Sequence, residues 1–134
     1  MTRKKNPVSD AELEVLKALW DHGPGTVRDV QSRMNADGRD RAYTTAQTLL
    51  VRLQGKGYVT SAKEGRAYVF RAAVSRDDLV GRSLEALADR VCDGASLPLL
   101  LNLVQSSRFA AGDIARFREL LDELEGDSGT GGDA

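Results

Sequence analysis

Ala42-Tyr43-Thr44-Thr45-Ala46-Gln47-Thr48-Leu49-Leu50-Val51-Arg52-Leu53, then Gly57-Tyr58-Val59, then Lys63-Glu64-Gly65-Arg66-Ala67-Tyr68-Val69-Phe70, is the stretch that decides the fold. At about 100° per residue, Ala46, Leu49, Leu50 and Leu53 gather on one side of a helix, and Thr44, Thr48, Val51, Arg52 and Gly55 on the other. The helix is expected to begin near Thr44, whose spacing to Gln47 permits a capping box. Beyond it, 58–62 and 67–71 are short β-prone runs flanking Lys63-Glu64-Gly65-Arg66, with Gly65 supplying the permissive turn conformation. Tyr68 and Phe70 alternate with Val69, so one face of this ribbon is expected to pack on the helices while Lys63 and Arg66 project from its tip.

Upstream, two more helices are expected. Ser9-Asp10-Ala11-Glu12 is a capping box, and Leu13, Leu16 and Trp20 form a stripe behind it. Gly23-Pro24-Gly25 ends that helix. The next starts at Thr26, buries Val27, Val30 and Met34, and fades at Asn35-Ala36-Asp37-Gly38, which is turn chemistry. Three helices and a basic hairpin make the chain mainly α with a small β-hairpin wing, the pattern of a winged helix-turn-helix that offers its third helix to duplex DNA.

The open side of the third helix suits that use. Thr44, Thr45 and Thr48 carry hydroxyls for base edges or phosphates, and Val51 can meet a thymine methyl. Arg52 and Lys56 lie where a strand's phosphates would run, and Lys63 and Arg66 add two cations on the wing. Arg28, Arg41 and the amino-terminal Arg3, Lys4 and Lys5 extend the same footprint. The bland reading is a solvated helix face with a capping threonine, but β-branched residues are poor choices for a merely exposed helix.

Behind the wing, Ser75-Arg76-Asp77-Asp78 opens a helix in which Val80, Leu84, Leu87 and Val91 make a narrow apolar seam. Ser96-Leu97-Pro98 starts a fifth, whose Leu97, Leu99, Leu100, Leu101, Leu103 and Val104 wrap nearly its whole circumference. A sixth repeats the seam with Ile114, Phe117, Leu121 and Leu124. Three short helices cannot bury all of this alone, and a second copy is the simplest cover. The expected organisation is a DNA-binding domain over 1–74, an α-helical dimerisation region over 75–125 and a disordered glycine-rich tail over 126–134.

Charge agrees with the division. Residues 1–74 hold 13 Lys and Arg against 8 Asp and Glu, a net of +5; residues 75–134 hold 6 against 12, a net of −6. The front half can approach phosphates that the rear half is pushed from. Length and a 41% apolar content are those of a small globular chain. The longest nearly unbroken apolar run, Leu97 to Val104, falls well short of the ~20 residues of a spanning helix, and no apolar segment follows Arg3-Lys4-Lys5. A cytoplasmic protein without membrane insertion is expected. One cysteine, Cys92, and one histidine, His22, exclude an intrachain disulfide and a cysteine-histidine metal cage, so neither metal nor cofactor is expected. An enzyme would need a catalytic constellation, and there is no HExxH motif and no phosphate-cradling glycine loop. The competing class is a winged helix used as a protein–protein interaction module, for which exposed aromatics or long aliphatics would be the better surface.

The stretch Ser9 to Trp20, the segment 43–53 and the segment 63–70 resemble the penicillinase repressor family, commonly called BlaI/MecI, and the likeness runs from about Val8 to Leu124. The resemblance implies a homodimeric winged-helix repressor that reads a palindromic operator through the major groove, with Thr44, Thr45, Thr48 and Arg52 as recognition-helix contacts. It also implies relief of repression when a membrane metalloprotease sensor detects a β-lactam and the repressor is cut in its dimerisation region. The family's Asn-Phe cleavage pair falls on Asn102-Leu103, where the asparagine is present and the aromatic is not. The copper-sensing branch carries several cysteines near the carboxyl end, and this chain has none there.

Overall fold

The computed structural model describes residues 7–131. Helices α1 (Asp10–His22), α2 (Val27–Met34) and α3 (Tyr43–Gly55) precede strands β1 (Val59–Glu64) and β2 (Ala67–Ala72), and helices α4 (Arg76–Val91), α5 (Leu97–Ser106) and α6 (Ala111–Gly131) follow. The chain divides into two compact units after Ser83.

Local chemistry starts the first two helices. The Ser9 hydroxyl accepts from the Glu12 N–H, and the Glu12 carboxylate accepts from the Ser9 N–H. Thr26 and Asp29 repeat the exchange ahead of α2. Each box satisfies two of the backbone donors that a helix start leaves unpaired. The apolar pattern then packs α1, α2, α3 and the hairpin around one core of Val15, Leu16, Leu19, Val27, Val30, Met34, Ala46, Leu49, Leu50, Leu53, Tyr58, Val59, Phe70 and Val74. The expected faces of α2 and α3 are the buried ones. The stripe on α1 is rotated from expectation: Val15, Leu16 and Leu19 are buried, while Leu13 and Trp20 are only partly so. Trp20 sits at the rim because its indole N–H donates to the Val74 carbonyl at 2.8 Å.

The hairpin is antiparallel, running from Val59 opposite Ala72 to Glu64 opposite Ala67. Its connection is only Gly65-Arg66, so Lys63 and Glu64, expected in the turn, are strand residues. Gly65 takes a φ of 68°, the positive value that the first central position of a tight hairpin favours. A third short crossing completes the sheet, since Gly25 and Phe70 exchange both backbone hydrogen bonds at 3.0 and 2.8 Å. The crossing is tight at Gly25: a Cβ there would lie 2.9 Å from an Arg33 guanidinium nitrogen and 3.0 Å from the Asp29 Cβ, so the Arg33 side chain would have to move to admit one.

The first unit extends beyond the boundary expected at residue 74. Leu79 packs against its core, Arg76 bridges Asp21 at 3.0 Å, and the Arg82 guanidinium lies 5.7 Å from the Tyr58 ring centre. These contacts tie the first two turns of α4 to the winged domain.

In the second unit α5 starts after Ser96 with proline in its first turn, as expected, but the Ser96 side chain, expected to cap the helix, makes no cap hydrogen bond because its backbone is already helical. Ala88 is the one buried side chain from Leu84 onward among the described residues. Phe109 and Phe117 meet edge to face with ring centres 5.0 Å apart. The tail expected from Gly126 is not irregular at its start, because α6 continues to Gly131. Glycine weakens a helix, but unlike proline it keeps its N–H and so carries the hydrogen-bond ladder onward. Residues 132–134, and the arm with Arg3, Lys4 and Lys5, lie outside the described residues.

Candidate nucleic-acid interface

Helix α3 has two sides with different duties. Ala46, Leu49, Leu50 and Leu53 enter the core, and Thr44, Thr45, Thr48, Val51 and Arg52 are exposed. Thr44, Thr45, Thr48 and Arg52, floored by Leu49, line one shallow depression. Three hydroxyls and a guanidinium converging on a concavity can donate to phosphates and base edges, and Val51 beside them, 58% exposed, is free to touch a thymine methyl.

The expected capping box from Thr44 to Gln47 does not form. Helix α3 begins one residue earlier, at Tyr43, with Ala42 as an N-cap that has no side-chain acceptor. Long-range contacts set this start. The Arg41 N–H donates to the Asn35 side chain at 2.9 Å, and the amides of Gln31 and Asn35 donate to the Arg41 carbonyl at 3.1 and 3.0 Å. The chain is thus gripped by α2 and the turn after it before α3 starts. As a result Thr44 is not a cap, and Gln47 stands exposed on the open side. Sequence reasoning missed Gln47 by assigning it to capping, although a glutamine amide can pair with both adenine N6 and N7.

The cations divide into free and engaged. Arg52, Lys63 and Arg66 are exposed and form no ion pair among the described residues. Arg28 is exposed, with its guanidinium 5.6 Å from the ring centre of Tyr43 at the start of α3.

Arg41 and Lys56 correct the expected footprint. The Arg41 guanidinium, with only 14% of its side chain exposed, reaches Glu14 at 2.7 Å, the Met34 carbonyl at 2.6 Å and Asp37 at 3.3 Å, so it braces the turn between α2 and α3. The Lys56 ammonium donates to Glu12 at 2.6 Å and to the Pro7 carbonyl at 2.9 Å, joining the end of α3 to the start of α1. Glu12 is the one buried charged residue among those described. Burial pushes its carboxyl up, but the Lys56 ammonium and the Ser9 donors together outweigh this and hold it below its ordinary value. Both cations are structural because a buried or half-buried carboxylate claims them.

The profile of the family described as "Penicillinase repressor" matches residues 8–123. The chain belongs to the penicillinase repressor family. The "Transcriptional regulator BlaI" of Mycobacterium tuberculosis is 35% identical over 128 residues, spanning 94% of this chain and 91% of its own length. The "Penicillinase repressor" of Bacillus licheniformis is 29% identical over 121 residues, spanning 90% and 94%. A solution structure of the DNA binding domain of the repressor BlaI covers 57% of this chain and 93% of its own at 34% identity, with a TM-score of 0.49.

In this penicillinase repressor family member the rear helices carry the second group of expected site residues. Val80 on the first-unit part of α4 is exposed, as are Leu84 and Val91, and Leu87 is partly covered. On α5, Leu100, Leu101 and Val104 are exposed, and on α6 so are Ile114, Leu121 and Leu124, while Phe117 is half-covered by Phe109. Asn102 and Leu103 both face solvent. Among the described residues no group of three His, Cys, Asp or Glu is placed to hold a metal ion, and no helix is long and apolar enough to cross a membrane.

Proposed function

We propose that this chain is a homodimeric, sequence-specific DNA-binding transcriptional repressor. Each protomer lays α3 in the major groove over one half of a palindromic operator, with the wing along the adjacent backbone. The observation that carries this reading is the open side of α3, where Thr44, Thr45, Thr48 and Arg52 converge on one depression while the opposite side is locked into the core. A base-reading helix must be both chemically equipped and held rigidly from behind, and α3 is both. Membership in a repressor family supports the same conclusion.

The site contacts in this reading are Thr44, Thr45, Thr48, Val51 and Gln47 toward bases, with Arg28, Arg52, Lys63 and Arg66 toward phosphates. Exposed leucines on α5 and α6 give the second copy its seat, and the protein acts in the cytoplasm where the DNA is, with no cofactor. The names of its relatives put β-lactam resistance genes first among the targets to examine. Relief of repression runs through cleavage between Asn102 and Leu103, prompted by a membrane sensor protease. Because both residues lie within α5, that helix must open locally before a protease can hold it as an extended strand.

Selection of bound fragments from genomic DNA by the full-length protein tests the reading, with two protomers expected per site. On the selected duplex Thr48→Ala should lose about 1–3 kcal/mol, and on random duplex it should lose little. A purified protein that retains no fragment at low ionic strength overturns it.

A further inference from the structure

The two faces of the wing differ. Strand alternation and register put Val59, Ser61 and Lys63 on one face with Ala72, Phe70 and Tyr68 across from them. Near its root this face belongs to the core, since Val59 and Phe70 are buried. Midway, the Ser61 hydroxyl donates to the Gln54 side-chain oxygen at 3.3 Å, which fixes the face against the α3 flank that also carries Gln47 and Val51. Farther out there is no core left to join. Tyr68, expected to pack on the helices, is instead 56% exposed directly across from Lys63.

The opposite face carries Glu64, the one carboxylate of the hairpin, and it is held by Arg71 at 2.7 Å. The acid that would repel a phosphate is therefore turned outward and neutralised. What remains toward α3 is an unopposed ammonium beside a phenol whose hydroxyl makes no hydrogen bond among the described residues.

We propose that Tyr68 is a DNA-backbone contact whose hydroxyl donates to a phosphate oxygen next to the phosphate that Lys63 neutralises. This deepens, and rests on, the DNA-binding reading above. The occupant follows from charge and position: the exposed part of the face offers the Lys63 ammonium and the Tyr68 hydroxyl, and the face is joined to the α3 flank through the hydrogen bond between Ser61 and Gln54. Tyrosine hydroxyls are among the donors that position proteins on phosphates without reading sequence.

The test uses the full-length protein on its selected operator duplex across a salt series, with Tyr68→Phe, Tyr68→Ala and Lys63→Gln. Tyr68→Phe should bind about tenfold more weakly, the loss of one hydrogen bond to a charged group. Its salt slope should match the native one, because no cation has been removed, while Lys63→Gln should lower the slope by about one unit. Tyr68→Ala should lose at least as much as Tyr68→Phe, and thermal melts of all three should match the native protein because these side chains are exposed. Native-like binding by Tyr68→Phe overturns the contact, including the case in which only Tyr68→Ala is weak and the ring alone matters. A native protein that binds no duplex overturns the DNA-binding reading and this contact with it.

Discussion

The front and rear of the molecule treat their apolar residues in opposite ways. Among the described residues, fifteen of the sixteen buried hydrophobics lie between Val15 and Val74, whereas eleven of the fifteen exposed large hydrophobics lie from Leu84 onward. The front unit is a finished core with a polar, cationic reading surface. The rear helices are well formed but leave their leucines in water, which soluble monomers avoid on this scale. The same periodic sequence pattern therefore has two outcomes, an interior in one region and an exposed apolar surface in the other, and it is this second surface that the proposed dimer would cover.

The contrast can be broken most directly at Leu121, which is 56% exposed on α6. Leu121→Asp should leave the helices folded but dissociate the dimer by more than about a hundredfold, a charge buried in an interface being far costlier than one in water. Sedimentation equilibrium reads this, and an unchanged dimer would remove α6 from the interface. Next in size, Leu50→Ala in the front core, where the native side chain is fully buried, should cost about 3 kcal/mol of unfolding free energy in urea titrations. A loss under about 1 kcal/mol would mean that the front core is looser than its burial implies.

A smaller effect separates the front unit by pH. Glu12→Gln removes the partner of Lys56 and should cost roughly 2 kcal/mol near neutral pH, less than a fully buried pair because Lys56 can still reach solvent. Since the Glu12 carboxyl is depressed from its ordinary 4.5, its contribution is complete above that value and fades as pH falls through the lower folded value. Asp29 and Asp37 shift in the same direction, Asp29 through the Thr26 N–H and hydroxyl and Asp37 through the Arg39 N–H and the Arg41 side chain. The native front unit should therefore lose stability below about pH 4.5 more steeply than Glu12→Gln does. Parallel acid-unfolding curves would contradict this.

Much of this fold was legible because its determinants are local. The capping boxes span three residues, and the burial of Ala46, Leu49, Leu50 and Leu53 follows from helical spacing alone. What sequence could not settle depends on partners far along the chain. Lys56 looks like any cation after a recognition helix until Glu12, 44 residues away, claims it. Arg41 is similar, with Glu14 as its partner. The start of α3 went to Tyr43 instead of Thr44 because amides on α2 and its following turn grip the backbone there, overriding a weak cap preference. Alternation puts Tyr68 on the same face as Phe70, but it fixes a face and not where along the strand the core runs out. The excess of leucine on α5 was legible, by contrast, because apolar residues around nearly the whole circumference of a short helix exceed what its two neighbours can cover.

The chain has a single tryptophan, and its ring nitrogen closes on the Val74 carbonyl where the hairpin hands over to α4. The indole is thus an optical reporter for closure of the front unit, with Arg76 stacked 5.2 Å from its ring centre as a built-in neighbour that departs when the closure opens. Fluorescence followed beside far-ultraviolet dichroism, which is dominated by all six helices, would time the opening of the reading head separately from the melting of the rear helices in one unlabelled sample.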